Sequence, residues 1–577
     1  MGLPDFWRSF VQQGIFPGEN VRVTQAAANA ARSESALAVD PNNPNRILGI
    51  SKHFIDPHNY VFSISPVFSI DGGATWKDLP SFAAPNKHDI YTDPSATFHT
   101  SGAAWCMGDP GFHVQQQPQL FQSLSCPPND TQDIQTTQML AQKSVNDGAS
   151  WDPHPVVALR CTGDDKGWIY CDNSTDVTYS GYPHPKPHPV SPYHGRLYAI
   201  WAALTPVRFA RSLDGGQTWI GPGNQPAGSD VAAGGYAPDL SIGRDGTLHV
   251  FWHNPASSSI QYIRSKDGGQ TWEGSGAIGN LVQPRDVVTG ITDILTKSAA
   301  GGAIHQLGGW PVFDGANFRV ITIVATCCFG AKGVAVAWAD ARSGHSRIYY
   351  RLSMDGGDTW LGDPSGTPLI PNLGGDNHQF HPQLATTGSG VLGCAMYSYS
   401  KTAILGSKPG VSVLVAASFD QGVSFTFNPI TDQAWDPSLN APWSHGDSTV
   451  TFIGEYFGFD ASQSDFHVLW TDTRFGNQDL FYCRVATEKF TDPRSLLPDL
   501  VATLVSAGVA NDGGGFVIVG GHIIRIPPWD PLRQILEVVV AIQTVSRIGL
   551  VSSVNARGAL YDLMIDVARQ AKKEIQE

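Results

Sequence analysis

Cysteine is scarce in this chain, with 8 among 577 residues, and no C-x-x-C pair or His-Cys cluster occurs. That dilution excludes a disulfide scaffold and leaves structural zinc without support. Charge is sparse too: 15% of residues are charged, and acidic side chains outnumber basic ones 51 to 37, for a net charge of -14. Phosphate binding draws its affinity from clustered Lys and Arg that release counterions, so no nucleic-acid partner is expected. The N-terminus "MGLPDFWRSFVQQGIFPGEN" lacks a basic region followed by a continuous apolar run, so no signal peptide is visible. The sequence alone leaves the compartment open, with a cytoplasmic protein or release by a non-Sec route as the expectation.

What is abundant is Gly (61), Pro (40) and Trp (16), a composition of many short strands joined by turns. One phrase recurs. "SIDGGATW" at Ser69 returns as "SVNDGASW" at Ser144, "SLDGGQTW" at Ser212, "SKDGGQTW" at Ser265, "SMDGGDTW" at Ser353 and a worn "SFDQGVSF" at Ser418. Each copy follows alternating apolar runs such as "GRLYAIWAAL" or "TLHVFWHN", the period-two signature of strands. Counting the runs gives six units, and a seventh, "STVTFIGEYFGFDASQSDFHVLWTDTRFGNQDLFYCRV", has the strands without the phrase.

Units of this size with about four strands each describe an all-β fold, a β-propeller of about seven four-stranded blades, or six if one unit is an insertion. The expected organisation is an N-terminal extension (1–19), the propeller (20–492) and a C-terminal extension (493–577). An early strand "NVRVTQ", from Asn20, is expected to pair with the last blade and close the ring. In the tail, "GGGFVIVGGHIIRIPP" reads as a hairpin turned at Gly520-Gly521. Two helices then follow from the spacing of Leu532, Ile535, Leu536, Val539 and Ile542 and of Leu560, Leu563, Met564 and Val567. The first carries Arg533, Glu537 and Arg547, too charged to span a membrane. The helices either pack within the protein or serve oligomerisation or docking.

Within the repeated phrase, an Asp carboxylate in a tight turn accepts backbone N–H groups, the glycines take positive φ, and the Trp buries a large surface between sheets. The pattern S-x-D-G-G-x-T-W resembles the Asp-box, or BNR repeat, of sialidases and sialidase-like propellers, over about residues 20 to 490. The resemblance implies that the boxes lie between third and fourth strands, away from any active site. Asp71, Asp147, Asp214, Asp267, Asp355 and Asp420 are accordingly expected to be structural.

Function is then sought on the opposite face, in loops after second strands and at the start of first strands. The former hold Asp340 and Arg342 in "WADAR", Asp472 and Arg474 in "WTDTR", His253, and Tyr397 with Tyr399. The latter hold Glu34, Asp93, Asp165, Lys166, Asp239, His381, Glu455 and Tyr456. Sialidases clamp a substrate carboxylate with three arginines and use a Tyr nucleophile activated by a Glu, with an Asp as acid/base. The resemblance makes Asp93, Glu455 and Tyr456 catalytic candidates, and Arg342, Arg474, Asp340, Asp472, Tyr397 and His253 candidates for substrate binding. The bland alternatives are that each Asp-x-Arg pair fastens its own loop, and that the adjacent Glu455 and Tyr456 face opposite sides of a strand. The Arg-Ile-Pro triplet of active sialidases is absent from the start of the propeller; the chain's own copy is Arg525-Ile526-Pro527 in the tail.

Two functions are therefore carried forward. One is a propeller binding a glycan or protein partner on the face opposite the boxes. The other is an exo-acting glycoside hydrolase of the sialidase type, acting on a terminal anionic sugar. Neither requires a cofactor. An Asp-rich channel mouth also leaves room for Ca²⁺ on oxygen ligands. Fold alone does not choose between them.

Overall fold

The structure is a computed structural model, describing residues 11–25, 30–83, 90–111, 137–158, 165–176, 188–202, 206–274, 281–371, 376–402, 410–490, 515–519 and 522–526. They fall in two compact units, residues 17–462 with 466–485, and residues 1–16, 463–465 and 486–577. The first is a seven-bladed β-propeller. Six blades are antiparallel sheets of four strands in chain order, starting with Arg32–Val39, Ile90–Phe98, Asp165–Cys171, Tyr236–Ile242, Val324–Phe329 and Asn377–Thr386; in the third, the short pair Thr175–Asp176 with His188–Pro189 stands between first and second strands. Those first strands neighbour one another around the axis.

Blade 7 supplies three strands from its own stretch, Gly458–Ala461, Asp465–Asp472 and Asp479–Phe490. Val21–Arg22 pairs with the last of them, Val21 opposite Tyr482, so a strand from the front of the chain closes the ring as the sequence predicts. Arg22 fixes this seam through Asp479 (2.6 Å), whose other oxygen accepts Thr24 Oγ1–H at 3.1 Å.

The repeated phrase turns the chain from third to fourth strand. Ser69 Oγ donates to Asp71 Oδ1 (2.8 Å) and accepts the N–H of Gly73 (2.9 Å). Asp71 also accepts the Thr75 N–H (2.9 Å) and hydroxyl (2.6 Å). The same set recurs at Asp214, Asp267, Asp355 and Asp420. Blade 2 departs from the expectation. There Asn146 takes the position of Asp71, accepting from Ser144 (3.0 Å) and the Ser150 N–H (3.0 Å). Asp147 instead stands where the first glycine stands elsewhere, at φ 54, and pairs with Arg46 at 2.7 Å.

The two glycines differ in what they do. A Cβ on the second would lie 2.1 Å from the Tyr482 ring at Gly73, 2.2 Å from Trp105 at Gly216 and 2.3 Å from Tyr262 at Gly357. Each of those rings belongs to the preceding blade. The first glycine needs only positive φ, which Asp147 and Gln421 (φ 60) also supply. The aromatic ending the phrase then packs on the preceding blade, Trp76 on Tyr482 (5.1 Å), Trp272 on Phe209 (5.0 Å) and Phe425 on Tyr350 (5.0 Å). The phrase is an inter-blade joint.

In the second unit, Gly515–Val519 pairs antiparallel with His522–Ile526, Val519 opposite His522, so the expected hairpin is present. Arg525 of the Arg-Ile-Pro triplet sits on its second strand, opposite Phe516. The helices predicted over 532–571 lie outside the described residues.

Candidate functional site

The first strands of five blades share an irregularity. Pairing with the second strand slips between Ser33 and Ala36, Thr92 and Ser95, Asp165 and Trp168, Tyr236 and Asp239, and Phe380 and Gln383. At each slip one residue adopts left-handed backbone: Glu34 (φ 47), Asp93 (φ 50), Lys166 (φ 55), Ala237 (φ 47) and His381 (φ 49). Left-handed backbone is costly for residues other than glycine, and such strain persists where surrounding structure enforces it. A bulge re-aims a side chain out of the pleat. Here four of the five re-aimed side chains are polar.

They meet at one end of the channel. Lys166 Nζ lies 2.6 Å from Glu455 Oε2, 3.2 Å from Glu34 Oε1 and 4.0 Å from Asp93 Oδ1. Lys52 Nζ approaches the other Glu34 oxygen at 2.5 Å, and Arg319 Nη2 the other Glu455 oxygen at 3.1 Å. Glu34, Lys52, Asp93, Lys166, Arg319 and Glu455 are all buried. Burial opposes the charge of Glu455, yet Arg319 and Lys166 overcome it and hold the carboxyl far below its ordinary value. Burial likewise opposes the charge of Lys166, and Glu34 and Glu455 reverse that, keeping the ammonium protonated.

Asp165 stands apart. Its side chain is hydrogen-bonded to Asp93, and burial followed by the Asp93 charge pushes its pKa well above the ordinary carboxyl range. Burial opposes ionisation of Asp93 as well, but Lys166 and Lys52 prevail and lower its pKa. Two carboxyls in contact thus split into an acid and a carboxylate, as like charges at one site require. Asp165 is half-buried as a residue, while its carboxyl is buried against Asp93. Tyr236 and Trp168 are half-buried there too.

The structure brings together the three expected catalytic candidates, Asp93, Glu455 and Tyr456, with Glu34, Asp165 and Lys166 from the same set of strand starts. Tyr456 stands in the cluster, but its hydroxyl donates to the Pro94 carbonyl at 3.4 Å, the Lys166 Nζ lies 4.5 Å over its ring, and burial, followed by the Glu34 and Asp93 charges, raises its pKa well above that of a free phenol. The adjacent Glu455 faces Lys166 and Arg319 instead. The Tyr456 hydroxyl and the Glu455 carboxylate therefore do not hydrogen-bond to each other.

Arg342 and Arg474 do not form a clamp. Each is tied to its own aspartate, Arg342 to Asp340 and Arg474 to Asp472 (2.7 Å), and Arg474 also pairs with Asp432. Asp340 and Asp472 are fully buried and accept the indole N–H of Trp338 (3.1 Å) and Trp470 (3.2 Å). The W-x-D-x-R stretch is therefore a corner fastening made twice. Tyr397 is buried with its oxygen accepting the Thr471 N–H at 3.1 Å, and His253 is buried with Nδ1 3.4 Å from Asp293. None of these six reaches the carboxyl cluster through a recorded contact.

Lys52 and Arg319 escaped the sequence reading. Lys52 lies inside a second strand and Arg319 in a connector between blades, neither of them at a strand start or in a loop after a second strand. Each is the single Lys or Arg of its stretch, "GISKHF" and "ANFRVI", with no acidic residue beside it, and that isolation is the signal that could have found them. Among the described residues no group of three His, Cys, Asp or Glu is arranged to hold a metal ion, and no helix is long and apolar enough to cross a membrane.

No protein-family model and no curated protein matches the chain. Among solved structures it is similar to a protein of unknown function from Dyadobacter fermentans, at 12% identity and TM-score 0.42, over 83% of this chain and 99% of that one. It is also similar to the Hadza microbial sialidase Hz136, at 14% identity and TM-score 0.36, over 70% of this chain and 66% of that one. A third is an alpha-L-arabinofuranosidase from Fusarium graminearum, at 13% identity and TM-score 0.34, over 82% and 98% of the two chains. Similarity this remote leaves the site to be read from its own side chains.

Proposed function

We propose that the propeller binds a neutral glycan at the channel mouth and hydrolyses a glycosidic bond there. The reading rests on the Asp165–Asp93 pair, an acid kept protonated beside a carboxylate kept ionised. Glycoside hydrolysis needs such a split: one carboxyl gives its proton to the leaving oxygen while an ionised carboxylate steadies the positive charge developing on the sugar ring. Asp165 is the donor, and Glu455, whose charge also raises the Asp165 pKa, is the nearby carboxylate. Water supplies the hydroxyl that completes the sugar.

Neutrality of the ligand follows from the cations. Lys52, Lys166 and Arg319 are already engaged by Glu34 and Glu455, and Arg342 and Arg474 by their own aspartates. A sugar carboxylate would have to displace one of these partners. The likeness of the repeated turns to Asp-boxes supports a glycan ligand without fixing the reaction.

A binding module is the second reading, favoured by the complete pairing of Glu34 and Glu455 with buried cations. Hydrolysis of neutral aryl glycosides and oligosaccharides by wild type and Asp165→Asn separates the two. The expected loss of kcat is on the order of 10²- to 10⁴-fold. Glycan binding without turnover would establish the module, and turnover unchanged in Asp165→Asn would overturn the assigned acid.

A further inference from the structure

Beside the carboxyl cluster stands a stack of three rings. His445 lies 5.2 Å from Trp310 at an interplanar angle of 7° and 4.7 Å from Tyr60 at 25°. The rings come from three separate insertions. Trp310 opens the second strand of a hairpin, Ile304–Leu307 with Trp310–Phe313, between blades 4 and 5. His445 lies at the tip of a second hairpin, Trp443–Ser444 with Asp447–Thr451, between blades 6 and 7. Tyr60 lies in the turn between second and third strands of blade 1. Strand alternation puts all three connections on the side opposite the Ser-x-Asp turns.

The two insertions are fastened together. The Arg319 N–H donates to the Thr451 carbonyl (3.0 Å) and the Thr451 N–H to the Asn317 carbonyl (2.7 Å). Tyr60 (φ 58) and His445 (φ 53) both hold left-handed backbone, strain of the kind that gathers at ligand clamps. Arg319 links the stack to the cluster: Nη1 donates to His445 Nδ1 at 3.0 Å, while Nη2 lies 3.1 Å from Glu455. Because Nδ1 accepts, the neutral ring carries its proton on Nε2. The ring stacks against both Trp310 and Tyr60, so His445 presents its Nε2–H edge, and beside the half-buried Trp310 indole this joins an apolar surface to an N–H donor, the combination that orients polar ligands with apolar faces. Trp443, stacked on the exposed His58 at 4.3 Å, continues the aromatic surface.

From this geometry we infer that the Trp310–His445–Tyr60 stack is a second sugar subsite, so that the ligand is a glycan of at least two residues lying across both the cluster and the stack. The inference rests on the glycan reading above and adds the length of the ligand to it. A sugar at the cluster alone would leave the stack unused.

Titration calorimetry tests it, with arabinobiose, cellobiose and galactobiose set against arabinose, glucose and galactose. At least one disaccharide is expected to bind wild type about tenfold or more tighter than its monosaccharide. His445→Asn, which tolerates left-handed backbone, and Trp310→Ala are each expected to erase that margin while leaving monosaccharide affinity unchanged. Equal affinity of wild type for the two lengths would overturn the subsite and leave the glycan reading standing. Equal weakening of both lengths in the variants would overturn it in favour of a structural role exerted through Arg319. Failure of wild type to bind any of the six sugars would overturn the glycan reading and this inference with it.

Discussion

Glu34 and Lys166 meet at 3.2 Å although they come from blades 1 and 3, and each extends from left-handed backbone, φ 47 and φ 55. Neither would reach the other from a regular pleat. The slips in blades 1, 2 and 3 therefore act together, gathering polar side chains that the strands alone would spread around the ring.

Replacing Lys166 by Met leaves Glu455 to Arg319 alone and Glu34 to Lys52 alone, in a buried setting. Breaking a buried ion pair by removing one partner costs about 3–5 kcal/mol. Urea unfolding of Lys166→Met is expected to show a loss of that size, and an unchanged midpoint would mean that the cluster is solvated.

Arg342→Ala and Arg474→Ala are expected to leave glycan turnover unchanged, since both arginines bind their own aspartates. Stability should fall more for Arg474, because its side chain also holds Asp432 and Asn20. Melting temperature and kcat/KM measured together check this; a turnover loss with normal melting would restore the arginines to the site.

At the repeated turn, Gly73→Ala drives a Cβ to within 2.1 Å of the Tyr482 ring, whereas at Gly72 the nearest atom is 3.3 Å away. Gly72→Ala should cost about 1 kcal/mol, from left-handed backbone alone. Gly73→Ala adds an overpacking cost of roughly 1–3 kcal/mol. Equal costs by denaturant unfolding would remove the distinction between the glycines.

Acidification should destabilise the fold. Burial lowers the pKa of His249, His378, His381 and His467 from 6.5 to about 3 each, so only the unfolded chain takes up their protons as the pH falls below 6.5. That stability is full above pH 6.5 and is lost as the pH falls towards 3. Asp239 and Asp460, raised by burial from 3.8 to about 6, act in the opposite sense, stabilising below pH 4 and fading as the pH rises to 6. Four histidines outweigh these two aspartates and Asp165, which is raised likewise, so the melting temperature should fall between pH 6.5 and 4. His467→Gln should flatten the fall, and a melting temperature that rises on acidification would contradict the assignment.

Much of the ring was legible because a turn phrase repeats at the residue level. Ser69, Asp71 and Trp76 announce a blade corner, and "NVRVTQ" announces the closing strand by its position before the first complete unit. The channel side was half legible. Strand alternation pointed to Glu34, Asp93, Asp165, Lys166 and Glu455, but a bulge depends on pairing with a neighbouring strand and leaves no period of its own. Arg342 and Arg474 misled because an Asp-x-Arg loop looks alike whether the fork holds a ligand or its own neighbour. Asp147 misled by one position, its role being taken by the isosteric Asn146.

Closure of the ring by Val21–Arg22 also has a temporal side. Glu34 must await Glu455 and Lys166 from far along the chain, and the seam at Asp479 forms last in order of synthesis. Pairings so distant in sequence are slow to find, because the loop entropy is lost before the contact forms. The site therefore comes into being only when nearly the whole propeller has left the ribosome, and every earlier intermediate carries an open sheet edge that the cell has to keep from pairing elsewhere.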